Sequence, residues 1–317
     1  MLEAVRPEAY SGVALVSVVI PCYNQARFLS EAIESVLAQS YQHFEVVVVD
    51  DGSTDETSEV AARYPRVHYI RQDNQGPAAA RNSGARESTG SYLVFLDADD
   101  RLLPNALETG LKHLKAHPEC AFVSGHYREV AADGSSLPTW KQPCPDKEHY
   151  LELLRANYIG TPAVVMYRRS VFESVGGFDP SPSVDGCEDY DLHMRIAHGF
   201  LVYCYGELVA EYRQHSSSAS RNSVSMLKAY LAALDGQRKH VKGNRQYEEA
   251  IKRGTRAAQD DYGGQLAREI LAHARKRELK QAIENLLLLL RYHPLAFARA
   301  WQKLRLPRRL RHWLRSL

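Results

Sequence analysis

The sequence predicts an α/β protein with a mainly parallel sheet, followed by a helical C-terminal region. Three observations predict this class. Up to about residue 96, short apolar runs rich in β-branched residues alternate with segments whose apolar residues recur every three or four positions. Polar clusters stand directly after three of these runs, where parallel sheets bind ligands. Beyond residue 225 the pattern is helical almost throughout.

The predicted elements follow each other regularly in the first hundred residues. The strands are expected at 13–21, 44–49, 67–70 and 92–96, with helices that include about 28–39 and 77–87. The first strand, VALVSVVIP, is continuously apolar, as strands buried on both faces are. Alternation of this kind is typical of βαβ units.

The rest of the chain is less regular. A helix is predicted from Pro104 to His117, since proline favours the first turn, and another near Tyr190 to His198. Shorter segments are expected at 121–124 and 161–167, and 266–290 is a candidate helical hairpin. We divide the 317 residues into an N-terminal tail (1–12), an α/β domain (13–222) and a helical region (223–317).

Composition excludes several classes of protein. The formal net charge of +2 argues against a general polyanion binder. Five cysteines, an odd number without a CxxC pair, make a disulfide framework or a zinc ribbon unexpected and favour a reducing cytosol. No signal peptide is recognisable at the N-terminus, and no run reaches the roughly 18–20 apolar residues needed to cross a bilayer. We therefore expect a cytoplasmic protein.

Acidic pairs end two of the predicted strands. Asp50 and Asp51 follow VVVV directly and repel each other, so a positive group or hydrogen-bond donors must meet them. Asp97 and Asp99, in LDADD, are two residues apart and share one face while the chain is extended. Two such carboxylates can hold a hard divalent cation; the alternative is a solvated loop end that caps the next helix.

A third acidic cluster lies in GCEDYDLHMR, residues 186–195. Glu188 and Asp189 begin a predicted helix, where the helix dipole favours negative charge. The functional alternative is a general base that takes a proton from an incoming hydroxyl.

Four stretches together resemble the family 2 inverting glycosyltransferases. They are VSVVIPCYNQARFLSEAIESVLAQSYQHFEVVVVDDGSTDET, NQGPAAARNSGARESTGSYLVFLDADD, VGGFDPSPSVDGCEDYDLHMRIAHG and YRQHSSSAS, within about residues 15–222. The resemblance implies a GT-A, Rossmann-like fold: a three-layer sandwich around a mixed, mainly parallel sheet. It also implies transfer of a sugar from a nucleotide-diphosphate sugar, a UDP-sugar being favoured.

The resemblance also implies a nucleotide site. The turn that holds the base matches Pro21, Cys22, Tyr23 and Asn24. Tyr23 would lie against the base, because aromatic rings stack on any base. One of Asp50 and Asp51 would accept the base N–H, so that the donors expected above come from the nucleotide. Arg81 would contact phosphate; the alternative is a salt bridge at the sheet edge.

The catalytic and metal residues are implied in the same way. Asp97 and Asp99 match the DxD motif that holds Mg²⁺ or Mn²⁺, with Asp99 the direct ligand and Asp97 reaching ribose or metal-bound water. Asp189, beside Glu188, matches the catalytic base. His215 matches a histidine that approaches the metal, although a lone histidine is more often structural. Two features depart from the family: Cys22 stands where Thr, Val or Ala is usual, and residues 131–149 match no pattern, which leaves the acceptor loops undefined.

The C-terminal residues 291–317 combine eight cationic side chains with leucines and two tryptophans. Such a segment is typical of a helix that lies on an anionic membrane, here the inner face of the plasma membrane. The alternative is a helix that packs on the catalytic domain. The acceptor is expected to be a glycan, a lipid-linked molecule or a protein in cell-surface polysaccharide synthesis, and no nucleic acid is expected as a partner.

Three other functions compete with sugar transfer. A catalytically silent binding protein of the same fold would have no need of Asp97, Asp99 and Asp189. A receiver domain would be about 120 residues long and would lack the later motifs. A nucleotidyltransferase would carry a glycine-rich loop after the first strand, and PCYNQARF has no glycine.

Overall fold

The computed structural model describes residues 13–138, 142–215 and 222–292. In these residues eight strands form one sheet: β1 (Val16–Cys22), β2 (Phe44–Asp50), β3 (Val67–Arg71), β4 (Tyr92–Phe95), β5 (Arg101–Leu102), β6 (Cys120–Ala131), β7 (Val165–Arg168) and β8 (Leu201–Gln214). Their order across the sheet is β3-β2-β1-β4-β7-β6-β8-β5. The predicted α/β class with a mixed, mainly parallel sheet is confirmed.

The parallel half of the sheet brings strand ends to one edge. β1 lies between β2 and β4 and pairs in parallel with both, and β3 adds in parallel to β2. The valines of β2, Val46 to Val49, are buried, as expected for a strand covered on both faces. In this register Cys22 is the partner of Asp50, so the two predicted nucleotide motifs meet at the carboxyl edge.

The second half of the sheet is mixed. β7 pairs antiparallel with both β4 and β6, β8 runs parallel to β6 through several register shifts, and β5 pairs antiparallel with β8. The sequence did not predict the 14-residue strand β8. Its polar positions, which include Glu211 and Arg213, are buried by long-range pairing and therefore carry no simple alternation.

Seven helices accompany the α/β part among the described residues: α1 (Ala26–Leu37), α2 (Thr57–Ala61), α3 (Pro77–Arg86), α4 (Ala106–Ala116), α5 (His149–Arg155), α6 (Arg169–Ser174) and α7 (Glu188–Gly199). α3 lies close to the sheet because of Gly84. A β-carbon there would stand 2.3 Å from a methyl group of Val19, so the position demands the smallest residue.

Three further helices follow, α8 (Ser223–Val241), α9 (Arg245–Arg275) and α10 (Leu279–Tyr292). The predicted helical C-terminal region is confirmed for the part described, and α9 and α10 form the expected hairpin. Ala233, Leu234 and Ile251 join the same hydrophobic core as the sheet. The division at residue 222 therefore stays a prediction. Residues 1–12 and 293–317, with most of the basic segment, lie outside the described residues.

Cys144 and Cys204 form a disulfide, which corrects the expectation drawn from the odd number of cysteines and the absence of a CxxC pair. The count and the CxxC criterion do not detect this pair, because its cysteines are 60 residues apart and meet only where the chain after β6 lies against β8. Within the described residues, no helix combines the length and the apolar character needed to cross a membrane.

Candidate active site

Asp50, the last residue of β2, is fully buried and is met by donors of the protein itself. Its carboxylate accepts hydrogen bonds from the Ser53 amide (2.7 Å), the Tyr69 hydroxyl (2.6 Å) and the Arg71 guanidinium (2.8 Å). Burial by itself raises the pKa of Asp50, but these hydrogen bonds and the Arg71 charge together lower it below its ordinary value. The resemblance implies that donors of the nucleotide meet the acidic pair. It does not indicate these donors, which belong to the protein itself.

Asp51 fixes the start of α3. Its Oδ1 accepts from the Gln72 side chain (2.7 Å) and the Gln75 amide (3.0 Å), and its Oδ2 accepts from the Gly76 amide (2.8 Å). Gly76 adopts φ +87°, a conformation open to glycine. A carboxylate offers about four acceptor positions, so Asp51 keeps capacity for one further donor.

The turn after β1 leaves one aromatic ring at the surface. Tyr23 is 50% exposed, whereas Pro21 and Cys22 are buried. Burial raises the pKa of the Cys22 thiol to about 11, so it stays protonated. Asn24, at φ +52°, accepts from the Thr54 amide (2.8 Å) and thereby ties this turn to the loop after β2. Tyr23 and Asn24 are therefore the members of the turn that are exposed to a ligand, and Tyr23 is the aromatic one.

Arg81 of α3 joins two of the acidic clusters. One nitrogen of its buried guanidinium lies 2.5 Å from Oδ1 of Asp97, and another lies 2.5 Å from Oε1 of Glu188. Burial opposes the charge, but the two carboxylates raise the pKa of Arg81 further and keep it protonated. Arg81 thus forms salt bridges, as the alternative for this residue expects. Its partners, however, are the site residues Asp97 and Glu188, not residues at the edge of the sheet. Since Asp51 caps the same helix, α3 connects all three clusters.

Glu188 and Asp189 start α7 and differ in their surroundings. Glu188 is used on both oxygens, by Arg81 and by the Gly186 amide (2.7 Å). Asp189 accepts from the Tyr190 amide (2.7 Å) through Oδ1. Burial, followed by repulsion from Glu188, raises the pKa of Asp189 to about 7, although Arg81 opposes the increase. Of the two predicted catalytic residues, Asp189 therefore has the properties of a base and Glu188 those of a positioning residue.

The DADD turn is held by Arg213, near the end of β8. Arg213 is almost fully buried; its amide donates to Oδ1 of Asp100 (2.8 Å) and its side chain donates to the Asp99 carbonyl (2.8 Å). Oδ2 of Asp100 is buried without a hydrogen-bond partner. Burial and the charges of Asp99 and Asp97 raise the pKa of Asp100 well above its usual range.

His215 lies directly against the DxD motif. Its Nε2 is 2.7 Å from Oδ2 of Asp99, and its Nδ1 is 3.4 Å from the guanidinium of Arg27. Burial and the neighbouring Asp97 raise the pKa of Asp99, while the hydrogen bond to His215 lowers it. A carboxylate and an imidazole thus converge at the position where a metal was predicted.

Sequence reasoning missed four residues that shape this site. Arg213 was present in the YRQH motif, but nothing in the pattern marked it as buried. Asp55 accepts from the Ala26 amide (2.9 Å) at the start of α1, and Arg27 follows in the first turn. Tyr127 is half-buried on β6, and burial followed by the charges of Glu129, Asp100 and Asp189 raises its pKa to about 12.

Comparisons with known proteins identify the family. Residues 17–176 match the family described as Glycosyl transferase family 2. The putative teichuronic acid biosynthesis glycosyltransferase TuaG of Bacillus subtilis is 32% identical over 214 residues, which cover 66% of this chain and 82% of TuaG. Chondroitin synthase of Escherichia coli is 28% identical over 200 residues, which cover 62% of this chain but only 28% of that enzyme.

Two solved structures share the fold. S. aureus TarS 1-349 in complex with UDP-GlcNAc has a TM-score of 0.54 at 17% identity, covering 84% of this chain and 89% of that chain. The mannosyltransferase PcManGT from Pyrobaculum calidifontis, in complex with GDP-Man and Mn²⁺, has a TM-score of 0.55 at 20% identity, covering 87% and 86%. This protein therefore has the GT-A fold and belongs to glycosyl transferase family 2, the nucleotide-sugar transferases.

Proposed function

We propose that this protein is a metal-dependent, inverting glycosyltransferase that moves a sugar from a UDP-sugar to an acceptor hydroxyl. One observation carries the proposal: Arg81 joins Asp97 of the DxD motif to Glu188, which immediately precedes Asp189. The DxD motif and the start of α7, which carries the candidate base, are thus joined through one guanidinium. The reaction needs both groups at the same sugar.

Asp189 is the proposed general base. With a pKa near 7 it is largely ionised at slightly alkaline pH and still basic enough to accept a proton. It takes the proton of the acceptor hydroxyl while that oxygen bonds to the anomeric carbon. The bond from this carbon to the diphosphate oxygen breaks on the opposite face, so the configuration inverts and the nucleoside diphosphate leaves.

Asp99, His215 and Asp97 would hold Mg²⁺ or Mn²⁺. The donor set fits such a cation, because it combines two carboxylates with an imidazole whose Nε2 lies 2.7 Å from Oδ2 of Asp99. When bound, the cation supplies positive charge that stabilises the leaving diphosphate. Replacing Asp99 by Ala should abolish the effect of EDTA on nucleotide affinity; an unchanged response to EDTA would remove Asp99 from the metal site.

Tyr23 and Asp51 are the proposed contacts to the base, through ring stacking and the remaining acceptor position of the carboxylate. The complex of TarS with UDP-GlcNAc supports a UDP-sugar, whereas PcManGT holds GDP-Man. A hydrolysis screen over UDP-, GDP- and dTDP-sugars, with and without Mn²⁺, tests the assignment. Hydrolysis of a GDP- or dTDP-sugar alone would overturn the preference for uracil.

The same screen separates transfer from the alternative functions. A transferase releases nucleoside diphosphate, a nucleotidyltransferase would exchange pyrophosphate, and a silent binding protein would do neither. Proton NMR of the first glycoside formed reports its anomeric configuration. A product with the configuration of the donor would refute inversion.

The proposed acceptor is a glycan, lipid-linked or protein hydroxyl in cell-surface, exopolysaccharide or lipopolysaccharide synthesis. The likeness to TuaG, whose name refers to teichuronic acid, supports a bacterial cell-surface glycan. Transfer assays with oligosaccharide, lipid-linked and peptide acceptors test it, and absence of transfer to all three classes would contradict it.

We also propose that the C-terminal region attaches this otherwise cytoplasmic protein to an anionic membrane. α10 exposes four large apolar side chains on one face: Leu279, Ile283, Leu287 and Leu290. The basic residues of 291–317 follow directly in the chain. Apolar area beside positive charge is the combination that binds anionic bilayers.

Flotation with anionic vesicles tests membrane attachment. Removing residues 291–317, or replacing Ile283 and Leu287 by Ser, should reduce the bound fraction. Replacing the exposed, polar Gln281 by Ser is the matched control and should leave binding unchanged. Equal flotation of all four proteins would show that this region is not the membrane contact.

A further inference from the structure

A cluster of two cysteines and a histidine lies on the sheet, separate from the acidic residues. Cys204 is on β8 and His126 on the neighbouring β6, and Cys144 reaches them from the chain before α5. The two cysteines are joined as a disulfide, and Nε2 of His126 lies 3.9 Å from Sγ of Cys204. The three potential ligand atoms all lie within 4.8 Å of one another.

This set of atoms suits a thiophilic metal. Thiolates and imidazole are the preferred ligands of Zn²⁺, whereas the carboxylates of the DADD turn suit harder cations. In a tetrahedral site, metal–sulfur and metal–nitrogen bonds of about 2.3 and 2.0 Å place sulfur and nitrogen roughly 3.5 Å apart. The separation of 3.9 Å between Cys204 and His126 is close to this value.

The three residues of the cluster are mostly buried, so the surrounding structure holds them near one another. His126 and Cys204 are buried, and Cys144 is partly buried. Gln142, two residues before Cys144, exchanges hydrogen bonds with both backbone groups of Tyr127: the Tyr127 amide donates to Oε1 (3.2 Å), and Nε2 donates to the Tyr127 carbonyl (3.1 Å). The segment that carries Cys144 is therefore also anchored to β6, next to His126, so that reduction would leave its thiol close to the other two ligands.

We propose that Cys144, Cys204 and His126 form a zinc site that is occupied when the disulfide is reduced. A dithiol or phosphine reductant supplies two electrons and cleaves the sulfur–sulfur bond. Each thiol then loses its proton as it binds the metal, neutral His126 donates through Nε2, and a water fills the fourth position. The oxidised pair has no thiolate to offer and cannot bind zinc in this way. Absence of a CxxC pair does not exclude this site, because its cysteines are 60 residues apart.

The site connects to the surroundings of Asp189, the proposed base, through Tyr127. The disulfide joins the segment after β6 to β8, and the proposed metal would do the same. Gln142 of this segment is hydrogen-bonded to the backbone of Tyr127. The phenol of Tyr127 lies beside Gly160, at 2.8 Å from where a β-carbon would stand, and is within electrostatic reach of Asp189. Loss of both links would release this segment from β8.

The experiment uses the full-length protein, reduced with a phosphine and then loaded with Zn²⁺ or Co²⁺. We expect one zinc per chain by mass spectrometry after dialysis, and a thiolate-to-cobalt charge-transfer band that a carboxylate site cannot produce. Cys144→Ser and His126→Gln should weaken zinc binding by more than the about 10- to 100-fold that loss of an outer hydrogen bond to a ligand typically costs. Cys120→Ser, a buried cysteine of β6 outside the cluster, is the matched control and should keep the band.

His126→Gln separates the proposal from a simple redox pair. This variant still forms the disulfide, which thiol titration under denaturing conditions measures, but it should lose the metal. If the reduced wild-type protein shows no charge-transfer band, or if His126→Gln binds zinc as tightly as the wild type, the proposal is wrong. Thermal unfolding of each variant in the oxidised state checks that the fold is intact.

Discussion

Replacing Asp189 by Asn should make the protein more stable while it removes most of the turnover. Burial and Glu188 raise the pKa of Asp189 from 3.8 to about 7. A carboxyl whose pKa is raised by folding favours the folded state when protonated, so its contribution to stability is lost as the pH rises from about 4 to 7. Since one pKa unit corresponds to about 1.4 kcal/mol, the charged group costs at most about 4 kcal/mol above pH 7. Asn carries no charge and keeps an oxygen for the Tyr190 amide.

The same change removes the base. General-base help is typically worth about 10²- to 10⁴-fold, so turnover of Asp189→Asn should fall by that factor while nucleotide affinity stays within twofold. In the wild type, kcat/KM should fall tenfold per pH unit below about 7, because the base becomes protonated. Urea unfolding at pH 5 and pH 8 and initial rates from pH 5 to 9 measure both effects.

Glu188→Gln is the matched control. Glu188 is equally buried but is paired with Arg81, and removal of one partner of a buried ion pair typically costs about 3–5 kcal/mol. The two variants should therefore change the free energy of unfolding at pH 8 in opposite directions. Wild-type turnover in Asp189→Asn, or a loss of stability in that variant at pH 8, would refute the assignment of Asp189 as a buried base.

Three further predictions concern other parts of the molecule. Replacing the half-exposed Tyr23 by Ala should weaken UDP binding in calorimetry by about 1–3 kcal/mol and leave the melting temperature unchanged; unaltered affinity would exclude stacking. Gly254→Ala places a β-carbon 2.2 Å from the Leu154 carbonyl and should destabilise the protein, whereas Gly236→Ala, with open space around it, should stabilise by up to about 1 kcal/mol. Equal melting temperatures for these two variants would contradict the close approach of α9 to α5. Arg81→Lys cannot bridge two carboxylates in the same plane and should lose both stability and activity; retention of either would contradict the bridging role.

The sheet was predictable where burial is simple. β1 and β2 are covered on both faces, and their continuous valines and isoleucines indicate this directly. β8 could not be recognised, because Glu211 and Arg213 are buried there through partners far along the chain. Glu211 pairs with Arg101 and Arg128, and Arg213 pairs with Glu31. Charge in a buried strand is compensated only by tertiary contacts, which a local pattern does not contain.

The residue types of the candidate site were predictable, but the hydrogen-bond partners of these residues were less so. Resemblance identified the acidic motifs, and the structure brings Asp97, Glu188 and Arg81 into contact. The resemblance did not indicate that Tyr69 and Arg71 supply donors for Asp50, because these two residues come from the next strand. The disulfide was missed for the same reason, since its two cysteines become neighbours only after folding.

Excess negative charge at the site predicts how the donor binds. The charges of Asp99 and Asp97 raise the pKa of Asp100, and the charge of Asp97 also contributes to the raised pKa of Asp99 and of Asp189. Among the described residues, the buried guanidinium of Arg81 pairs with Asp97, and the amide of the buried Arg213 donates to Asp100. A diphosphate would add further negative charge, so its binding would need the proposed cation at Asp99 and His215. A nucleoside without phosphates adds no charge, so its binding would not depend on the cation. We therefore expect EDTA to weaken UDP binding at least about tenfold and uridine binding not at all, as measured by calorimetry at pH 8. Equal losses for the two ligands would mean that the cation supports the fold rather than the diphosphate, and equal retention would mean that Arg27 and its neighbours neutralise the phosphates without a metal.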